Sequence, residues 1–460
     1  MRRVLPVVIL VAMFVGIPVG IIGYESWRTG GRWGDTVRRM VSRAGSQRTG
    51  LETFGRMTTP VGKRVEFVRP EAIGEAADKT DYPVIAHVRA VDLDGDGLLD
   101  VLVCEAQKHY VSWIRQHPAG QFTERRIGER VNAPAHAEPY DMDGDGDLDI
   151  LVASMGTIFP SNDKVGAVVI LENLGEGEFR NRVVSDRAIA RVTDVRGGDL
   201  TGNALPDLAV ALFGYDDGET QWLENMGDWR FKRHVLQTLS GPINSEIVDM
   251  DNDGDLDIVV LVSQEWEEIY IHENDGTGRF RPRLVYGSTN EDFGSSWLTC
   301  VDMDGDGLVD ILYSNGDAFD YLPPRPRPWH GVQWLKNFGG LKFEVRRIGD
   351  FPGASSPVAA DVDRDGHLDV VVASAYNFWE RPDAFSLTWF RNDGEFRFTR
   401  HDVARNPTHI VTLGVGDFNG DGWLDFVTGG LHVYPPYDRL GRVTLWLHRG
   451  PEALGEILLR

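Results

Sequence analysis

A nine-residue pattern, Asp-x-Asp-x-Asp-Gly-x-x-Asp, recurs along the chain with its oxygen atoms spaced for a hard metal ion. Side chains at positions 1, 3, 5 and 9 and the backbone carbonyl at position 7 form the all-oxygen set that Ca²⁺ prefers, and glycine at position 6 permits a sharp turn. We expect about six structural calcium ions, one for each full copy. The predicted ligands, copy by copy, are Asp92, Asp94, Asp96, Leu98 and Asp100; Asp141, Asp143, Asp145, Asp147 and Asp149; Asp249, Asp251, Asp253, Asp255 and Asp257; Asp302, Asp304, Asp306, Leu308 and Asp310; Asp361, Asp363, Asp365, His367 and Asp369; and Asp417, Asn419, Asp421, Trp423 and Asp425.

Two other uses of these aspartates agree less well with the pattern. An EF-hand places glutamate at position 12 between two helices, whereas position 12 of the first copy is Val103 and the flanks are typical of strands. Catalytic carboxylates form one pair in one cleft rather than six equivalent copies. Without a cation, each close pair of carboxylates would cost about 1 kcal/mol even in water. Structural calcium is therefore the favoured interpretation.

One further copy, residues 199–207, has lost much of the ligand set. It reads Asp-Leu-Thr-Gly-Asn-Ala-Leu-Pro-Asp, so Thr201 and Asn203 replace carboxylates and Ala204 replaces the turn glycine. We expect this loop to bind metal weakly or not at all.

The elements that position these loops repeat with them. The copies start 49 to 59 residues apart, and each precedes an apolar run typical of a buried strand and then two strand-like segments joined by an Asn- and Gly-rich turn. Four antiparallel strands per repeat is typical of a propeller blade. The sequence thus predicts an all-β fold, a seven-bladed β-propeller of four-stranded antiparallel blades over residues 63–460, with residues 64–68 as the outer strand that closes the last blade. The seven copies start at Asp92, Asp141, Asp199, Asp249, Asp302, Asp361 and Asp417.

The Asp-rich loops and hairpins such as "WLENMGDWRF" resemble the FG-GAP/VCBS repeat family, and the loops are similar to those of the calcium-loop propeller of integrin α subunits. The resemblance covers roughly residues 63–460. It implies a calcium-stabilised propeller but no single activity, because such propellers act as adhesion modules, as accessory domains and, in a few polysaccharide lyases, as the catalytic body.

The overall charge excludes one class of partner. The chain has 47 basic and 70 acidic residues, a formal net charge of −23. A nucleic-acid-binding protein needs an electropositive face to displace counterions from phosphates. We therefore expect no nucleic acid among the partners.

The N-terminus is predicted to be a membrane segment. Residues 4–23 carry no charge, follow two arginines and match the ~20 residues that span a bilayer. Because a small-x-small cleavage site is lacking, we interpret residues 1–23 as an uncleaved signal anchor with one transmembrane helix. The Arg-rich residues 24–62 are interpreted as a juxtamembrane linker, either on anionic headgroups or solvated.

The orientation of this segment follows from the calcium loops rather than from the arginines. A positive-inside count would keep the linker in the cytoplasm. Cytosolic calcium, however, would leave extracellular-type loops empty. We therefore expect a single-pass membrane protein with the propeller on the extracytoplasmic side, periplasmic or at the cell surface.

The candidate ligand face lies opposite the Asp-rich loops, because those loops join the first and second strands of each blade. Several loops between the second and third strands are long and rich in aromatic residues, proline and arginine, a composition suited to binding protein or carbohydrate. Trp329, Trp379 and Tyr434 are candidate contact residues; alternatively, they cap blade cores beneath long loops. These loops span residues 155–166, 315–331, 375–386 and 430–442.

Polar residues also precede the first four Asp-rich loops at offsets of three and five residues. Because both offsets have the same strand parity, we expect these side chains to line one side of the channel mouth. They form either a ring of paired charges between blades or a polar ligand pocket, and His87, His136 and Glu138 could even hold a transition metal. The candidates are His87, Arg89, His136, Glu138, Asp194, Arg196 and Glu246.

These observations favour a membrane-tethered, calcium-stabilised binding or adhesion module for a protein or glycan. The alternative is a carbohydrate-active enzyme that resembles propeller-type polysaccharide lyases, with the polar residues at the channel mouth as its site. No nucleophile elbow, P-loop, HExxH or haem CxxCH motif supports a named chemistry, so enzymatic activity is less favoured.

Overall fold

The computed structural model describes residues 59–77, 81–185, 190–319 and 323–455, which form a ring of seven four-stranded antiparallel sheets. The seven-bladed β-propeller predicted from the repeats is confirmed. The strands are β1 (Val68–Ala72), β2 (Ile85–Val91), β3 (Asp100–Glu105), β4 (Tyr110–Gln116), β5 (Phe122–Ile127), β6 (Pro134–Tyr140), β7 (Asp149–Ser154), β8 (Ala167–Asn173), β9 (Phe179–Ser185), β10 (Arg191–Gly198), β11 (Asp207–Phe213), β12 (Glu219–Asn225), β13 (Phe231–Gln237), β14 (Pro242–Val248), β15 (Asp257–Val262), β16 (Glu268–Asn274), β17 (Phe280–Gly287), β18 (Ser295–Val301), β19 (Asp310–Asn315), β20 (Gly331–Asn337), β21 (Phe343–Asp350), β22 (Ala354–Ala360), β23 (Asp369–Ser374), β24 (Leu387–Asn392), β25 (Phe398–Ala404), β26 (Ile410–Gly416), β27 (Asp425–Gly430) and β28 (Val443–His448).

Blades 1 to 6 each consist of four consecutive strands, β2–β5 through β22–β25, in chain order. The second strand of a blade is buried along its whole length, as in β15, because it lies between two strands and between two neighbouring blades. Such a strand is apolar on both faces and reads as a continuous hydrophobic run. The fourth strand is the outer edge and consists of exposed and half-buried residues, as in β13.

Blade 7 is closed by the two ends of the described chain, as predicted, but the closing strand is not residues 64–68. Its order is β1-β28-β27-β26, and the ladder runs from Val68 opposite His448 to Ala72 opposite Thr444. The preceding Val65 and Phe67 instead fill the core between blades 6 and 7, where the Phe67 ring lies 5.3 Å from that of Trp389. Their alternating apolar pattern resembles a strand because every second side chain is buried.

The first strands of successive blades contact one another in a closed ring around the central channel. Each first strand is interrupted by a β-bulge near the residue six positions before its Asp-rich loop, as between Ile85 and His87 in β2. A bulge changes the direction in which the following side chains point. A simple inside–outside alternation therefore does not extend across the whole strand.

The predicted signal anchor and nearly all of the predicted linker lie outside the described residues. Across the described ranges, no helix has the length and the apolar character that crossing a membrane requires. The short helix α1 (Pro451–Leu454) follows β28, and one 3₁₀ turn (Gln264–Trp266) follows β15.

Candidate functional site

The nine-residue loops, called Asp loops below, join the first and second strands of each blade and are shaped by their first aspartate. In blade 1 the Asp92 carboxylate accepts hydrogen bonds from the N–H groups of Asp96 (3.1 Å) and Gly97 (2.9 Å). The bond from the sixth N–H to the first carboxylate recurs in all seven loops. Gly97 has a φ of 85°, the left-handed region that glycine adopts readily.

Five Asp loops bring carboxylates close together. In each, three carboxylates place one oxygen within 4.8 Å of the other two. The groups are Asp92, Asp94 and Asp96; Asp141, Asp143 and Asp149; Asp249, Asp251 and Asp257; Asp302, Asp304 and Asp306; and Asp361, Asp363 and Asp365.

The ninth aspartate of every loop holds two parts of its blade together. In blade 1 the buried Asp100 carboxylate accepts hydrogen bonds from the N–H of Leu93, the second loop residue (3.3 Å), and from the N–H of Gln116 at the end of the third strand (2.7 Å). The equivalent two bonds occur in all seven blades. Burial raises the pKa of these carboxyls, to about 6 in Asp100 and about 8 in Asp369. Sequence reasoning treated this position only as a metal ligand.

The altered loop of blade 3 keeps the shape of the others. Asp199 still accepts hydrogen bonds from the N–H groups of Asn203 (3.1 Å) and Ala204 (2.7 Å), and Ala204 takes the turn conformation with a φ of 65°. Asp207 still binds the N–H groups of Leu200 and Asn225. The backbone of an Asp loop is therefore compatible with loss of the third and fifth carboxylates.

The side chains five residues before the Asp loops mostly lie between blades rather than in the channel mouth; the exception is Trp297 of blade 5, which lines the mouth. At five blade interfaces such a side chain accepts a hydrogen bond from a backbone N–H of the next blade's first strand. A buried N–H needs a hydrogen-bond partner, and here the neighbouring blade provides it. These bonds therefore join neighbouring blades. The bonds run from Ala137 to His87 Nδ1 (3.3 Å), Ser245 to Asp194 Oδ2 (2.8 Å), Leu298 to Asn244 Oδ1 (2.9 Å), Leu413 to Ser356 Oγ (3.1 Å) and Val88 to Thr412 Oγ1 (3.0 Å).

The side chains three residues before the first four Asp loops form a chain of ion pairs. Arg196 is its centre, with Nη1 at 3.0 Å from Glu138 Oε2 and Nη2 at 3.4 Å from Glu246 Oε1. Arg196 Nε lies 3.4 Å from Asp194 Oδ1, and Arg89 reaches Glu138 from the exposed end at 3.4 Å. The alternation of sign that the sequence shows thus corresponds to direct contacts.

Histidines of blades 1 and 2 lie beside this chain. The rings of His87 and His136 are 4.2 Å apart, and His136 Nδ1 lies 2.9 Å from Asp194 Oδ1. Burial and the neighbouring His136 hold the pKa of His87 well below its usual value. Burial alone would raise the pKa of Asp194, but Arg196 and His136 outweigh it and lower that pKa. Both imidazoles are buried.

The mouth of the channel is lined by a different set, which sequence reasoning missed. A cavity of about 250 Å³ lies on the axis, and each of the seven residues six positions before an Asp loop contributes to it. Trp297 and Tyr376 also line it. The signal in the sequence is that, when the copies are aligned on their first aspartate, this position always holds a small or medium-sized residue. The seven residues are Ala86, Ala135, Thr193, Ile243, Ser296, Ser355 and Val411.

The long loops of blades 5, 6 and 7 form a groove of about 560 Å³ on the same face, called the loop groove below. Trp379 and Tyr434 both line it, but Trp379 is only 6% exposed, and Arg439 Nη1 donates a hydrogen bond to its carbonyl (3.1 Å). Trp329 lies outside the groove, packs against the core of blades 4 and 5 and donates its Nε1–H to the Asp292 carbonyl (3.0 Å). The structure therefore brings two of the three predicted contact residues together. The lining residues are Pro323, Pro324, Arg325, Tyr376, Asn377, Phe378, Trp379, Glu380, His409, Tyr434, Pro435, Pro436, Asp438 and Arg439.

Comparison with protein families gives the repeat a name. A family model described as FG-GAP-like repeat matches residues 92–152, 141–210, 199–260, 249–313 and 373–428, more than half of the chain. The chain belongs to the FG-GAP-like repeat family. Four of these FG-GAP matches begin at the first aspartate of an Asp loop and end just beyond the ninth aspartate of the next one.

No curated protein matches this FG-GAP chain. Two similar solved structures are crystal structures of BBS1N in complex with ARL6DN. The one soaked with mercury has a TM-score of 0.49 at 11% identity, covering 84% of this chain and 98% of that chain. The one soaked with lead has a TM-score of 0.47 at 11% identity, covering 85% of this chain and 99% of that chain.

The FG-GAP loops fit a hard divalent cation. The third-position carboxylates Asp251, Asp304 and Asp363 each have a buried Oδ1 atom without a hydrogen-bond partner. Burial, followed by repulsion from Asp253, raises the pKa of Asp251. A bound Ca²⁺ would give these Oδ1 atoms the partner that they lack.

Proposed function

We propose that the protein is a calcium-stabilised FG-GAP propeller that binds a protein partner on the face opposite the Asp loops. The observation that carries this proposal is the loop groove, which is formed by three blades and continues to the axial cavity through Tyr376. Four prolines restrict the backbone of the groove, so little conformational entropy would be lost on binding; they are Pro323, Pro324, Pro435 and Pro436. Rigid concave surfaces on loops are where proteins commonly place binding sites.

The lining of the groove favours a protein over a glycan. Trp379 and Tyr376 are only 6% and 4% exposed, so the faces of these two rings are covered and cannot stack on a sugar ring, and Phe378 and Tyr434 are half-buried. The exposed groups are charges of both signs, such as Arg325 and Glu380. A rim of mixed charge around an apolar centre is typical of protein interfaces.

Site-specific cross-linking tests this proposal. A photoreactive phenylalanine analogue in place of Phe378, which lines the groove, is expected to give a covalent adduct with a protein in intact cells. The change Arg325→Glu should reduce the adduct yield at least about tenfold, because arginine is a frequent hot spot and its loss often costs 2 kcal/mol or more. Adducts are detected by gel shift and identified by mass spectrometry.

Val235 provides the matched control, since it is 42% exposed on the outer strand of blade 3, far from the groove in sequence and in the ring. The same analogue at Val235 should give no such adduct. Equal adducts at both positions, or a glycan-array signal that Arg325→Glu abolishes in the absence of any protein adduct, would overturn the proposal of a protein partner.

We also propose that the propeller is tethered to a membrane on the extracytoplasmic side. The apolar residues 4–23 and the need of the Asp loops for millimolar calcium support this placement. In the cross-linking experiment, protease added outside intact cells or spheroplasts should then remove the adduct. Protection of the adduct from that protease would contradict the placement.

Calcium removal is expected to lower the melting temperature of the full-length protein by a few degrees. Extracellular calcium modules bind with dissociation constants of roughly 10⁻⁴ to 10⁻³ M, so millimolar calcium stabilises each site by about 0.4 to 1.4 kcal/mol. The measurement is differential scanning fluorimetry with EDTA and after calcium is restored. Magnesium at the same concentration is the control, and it should restore little because it keeps its own waters and demands octahedral geometry. An unchanged melting temperature in EDTA would show that the loops do not bind structural calcium.

A further inference from the structure

One residue beside each Asp loop differs in charge from blade to blade. It is the second-last residue of the third strand, directly before the N–H group that the ninth aspartate binds. This residue, called the flanking residue below, is basic in blades 1, 5 and 6, acidic in blades 2, 3 and 4, and neutral in blade 7. In chain order the flanking residues are Arg115, Glu172, Glu224, Glu273, Lys336, Arg391 and Leu447.

A basic flanking residue enters the Asp loop and always contacts the same two carboxylates, the third and the fifth. Lys336 Nζ contacts Asp304 and lies 3.0 Å from Asp306 Oδ2. In blade 6, Arg391 Nε lies 2.5 Å from Asp363 Oδ2 at the third position, and its Nη2 lies 2.9 Å from Asp365 Oδ2 at the fifth.

The contact in blade 1 is the same but looser. Arg115 Nε lies 2.6 Å from Asp94 Oδ2, and its Nη2 lies 3.7 Å from Asp96 Oδ2. These two carboxylates belong to the set predicted to hold calcium, so the flanking cation contacts part of the ligand set in three blades. In blade 1, His117 Nδ1 also lies 3.2 Å from Asp96 Oδ2.

An acidic flanking residue does not neutralise its Asp loop; it pairs with a basic residue of the fourth strand instead. Glu273 accepts a hydrogen bond from Arg283 of the fourth strand at 2.8 Å, and Glu172 binds Arg182 in the same way at 2.8 Å. These arginines are thereby held by the flanking glutamates. Within the described residues, no lysine, arginine or histidine forms an ion pair with an Asp-loop carboxylate of blade 2, blade 4 or blade 7, and the flanking Leu447 of blade 7 is uncharged.

We propose that the flanking residue decides which Asp loops need calcium. The loops of blades 1, 5 and 6 are held together by their own internal cation, whereas those of blades 2, 4 and 7 bind calcium tightly. This inference rests on the proposed calcium binding and refines it, from six equivalent ions to three tight ions and three weak ones.

The physical reason is charge competition at the shared oxygens. Calcium in blade 5 must either displace the Lys336 ammonium from Asp304 and Asp306 or bind beside it. A unit charge next to a divalent ion at a separation of about 4 Å costs roughly 2 kcal/mol even at water-like screening, which corresponds to more than a tenfold loss of affinity. A loop with a flanking glutamate suffers no such loss.

Calcium-binding stoichiometry of the full chain in mild detergent tests the inference. Equilibrium dialysis with ⁴⁵Ca²⁺, across roughly 10⁻⁵ to 10⁻² M free calcium, brackets the affinities of extracellular modules. The wild type is expected to bind three ions at least about tenfold more tightly than the rest. The change Lys336→Gln should add a fourth tight ion, and Glu273→Lys should remove one.

Lys232→Gln in blade 3 is the matched control, because Lys232 pairs with the flanking Glu224 at 3.0 Å rather than with a loop carboxylate. It should leave the count unchanged. Six ions of equal affinity in the wild type, or an unchanged count in both Lys336→Gln and Glu273→Lys, would overturn this inference alone. Absence of any bound calcium would overturn the calcium proposal and this inference together.

Discussion

Replacing Asp207 with alanine should lower the free energy of unfolding by about 3 to 5 kcal/mol, although Asp207 belongs to the loop that we expect to bind metal weakly or not at all. Its buried carboxylate accepts hydrogen bonds from the N–H groups of Leu200 (3.1 Å) and Asn225 (2.7 Å). Alanine would leave both buried donors without a partner, and a hydrogen bond to a charged group is worth about 1.5 to 3 kcal/mol. Urea unfolding of the full chain, followed by tryptophan fluorescence in EDTA, measures the loss without any contribution from calcium.

Asp228→Ala in the same blade is the control, since the Asp228 side chain is 91% exposed and its pair with Arg230 is open to solvent at 3.6 Å. An exposed pair of this kind contributes less than about 1 kcal/mol. Equal and small losses in the two variants would show that the ninth aspartate does not hold the blade together.

Replacing Arg196 with methionine should cost about 3 to 5 kcal/mol, because removing one member of a buried ion network leaves the other charges uncompensated. Arg196 contacts Glu138, Glu246 and Asp194 while its own side chain is 8% exposed. Arg89→Met is the control: that side chain is 45% exposed and has one contact, at 3.4 Å. Unfolding in urea should show a loss of less than about 1 kcal/mol for the control.

The loss caused by Arg196→Met should also depend on pH. Burial raises the pKa of Glu246 to about 7, although Arg196 opposes the rise. A carboxyl whose folded-state pKa is raised stabilises the protein at low pH, and this contribution disappears as the pH rises through about 7. Without Arg196 the ionised Glu246 loses its main compensating charge, so the deficit should be larger at pH 8 than at pH 5. A loss that is small and independent of pH would mean that the ion pairs contribute little to stability.

The number of blades and their strand order could be predicted from the sequence because every copy repeats the same local pattern. The Asp loop, the apolar second strand and the turn of the hairpin each fix a backbone conformation within a few residues. The closing strand was misplaced by four residues because Val65 and Phe67 alternate like strand residues although they fill the core between blades. An alternating apolar pattern indicates which side chains are buried, but it does not show that the backbone pairs with a neighbouring strand.

Less of the candidate site than of the fold could be predicted from the sequence. Aligning the copies on their first aspartate was enough to find the alternating charges of the ion-pair chain, since Arg89, Glu138, Arg196 and Glu246 all lie at one offset. The bulge in each first strand has no residue type that marks it, so the alternation rule placed His87 and His136 in the channel mouth rather than between blades. The loop groove combines loops of three blades, and no local pattern records that proximity.

The position of β1 in blade 7 has a consequence for how the chain is made. Synthesis delivers Val68 among the first residues of the propeller, but its partner His448 is among the last. Until β28 has emerged, β1 has no neighbour to pair with. The bond from Val88 to Thr412, which joins the first and last blades, likewise cannot form until β26 has emerged. Contacts so distant in sequence form slowly. The propeller of a nascent chain therefore cannot close its ring until the last strand of blade 7 has been made.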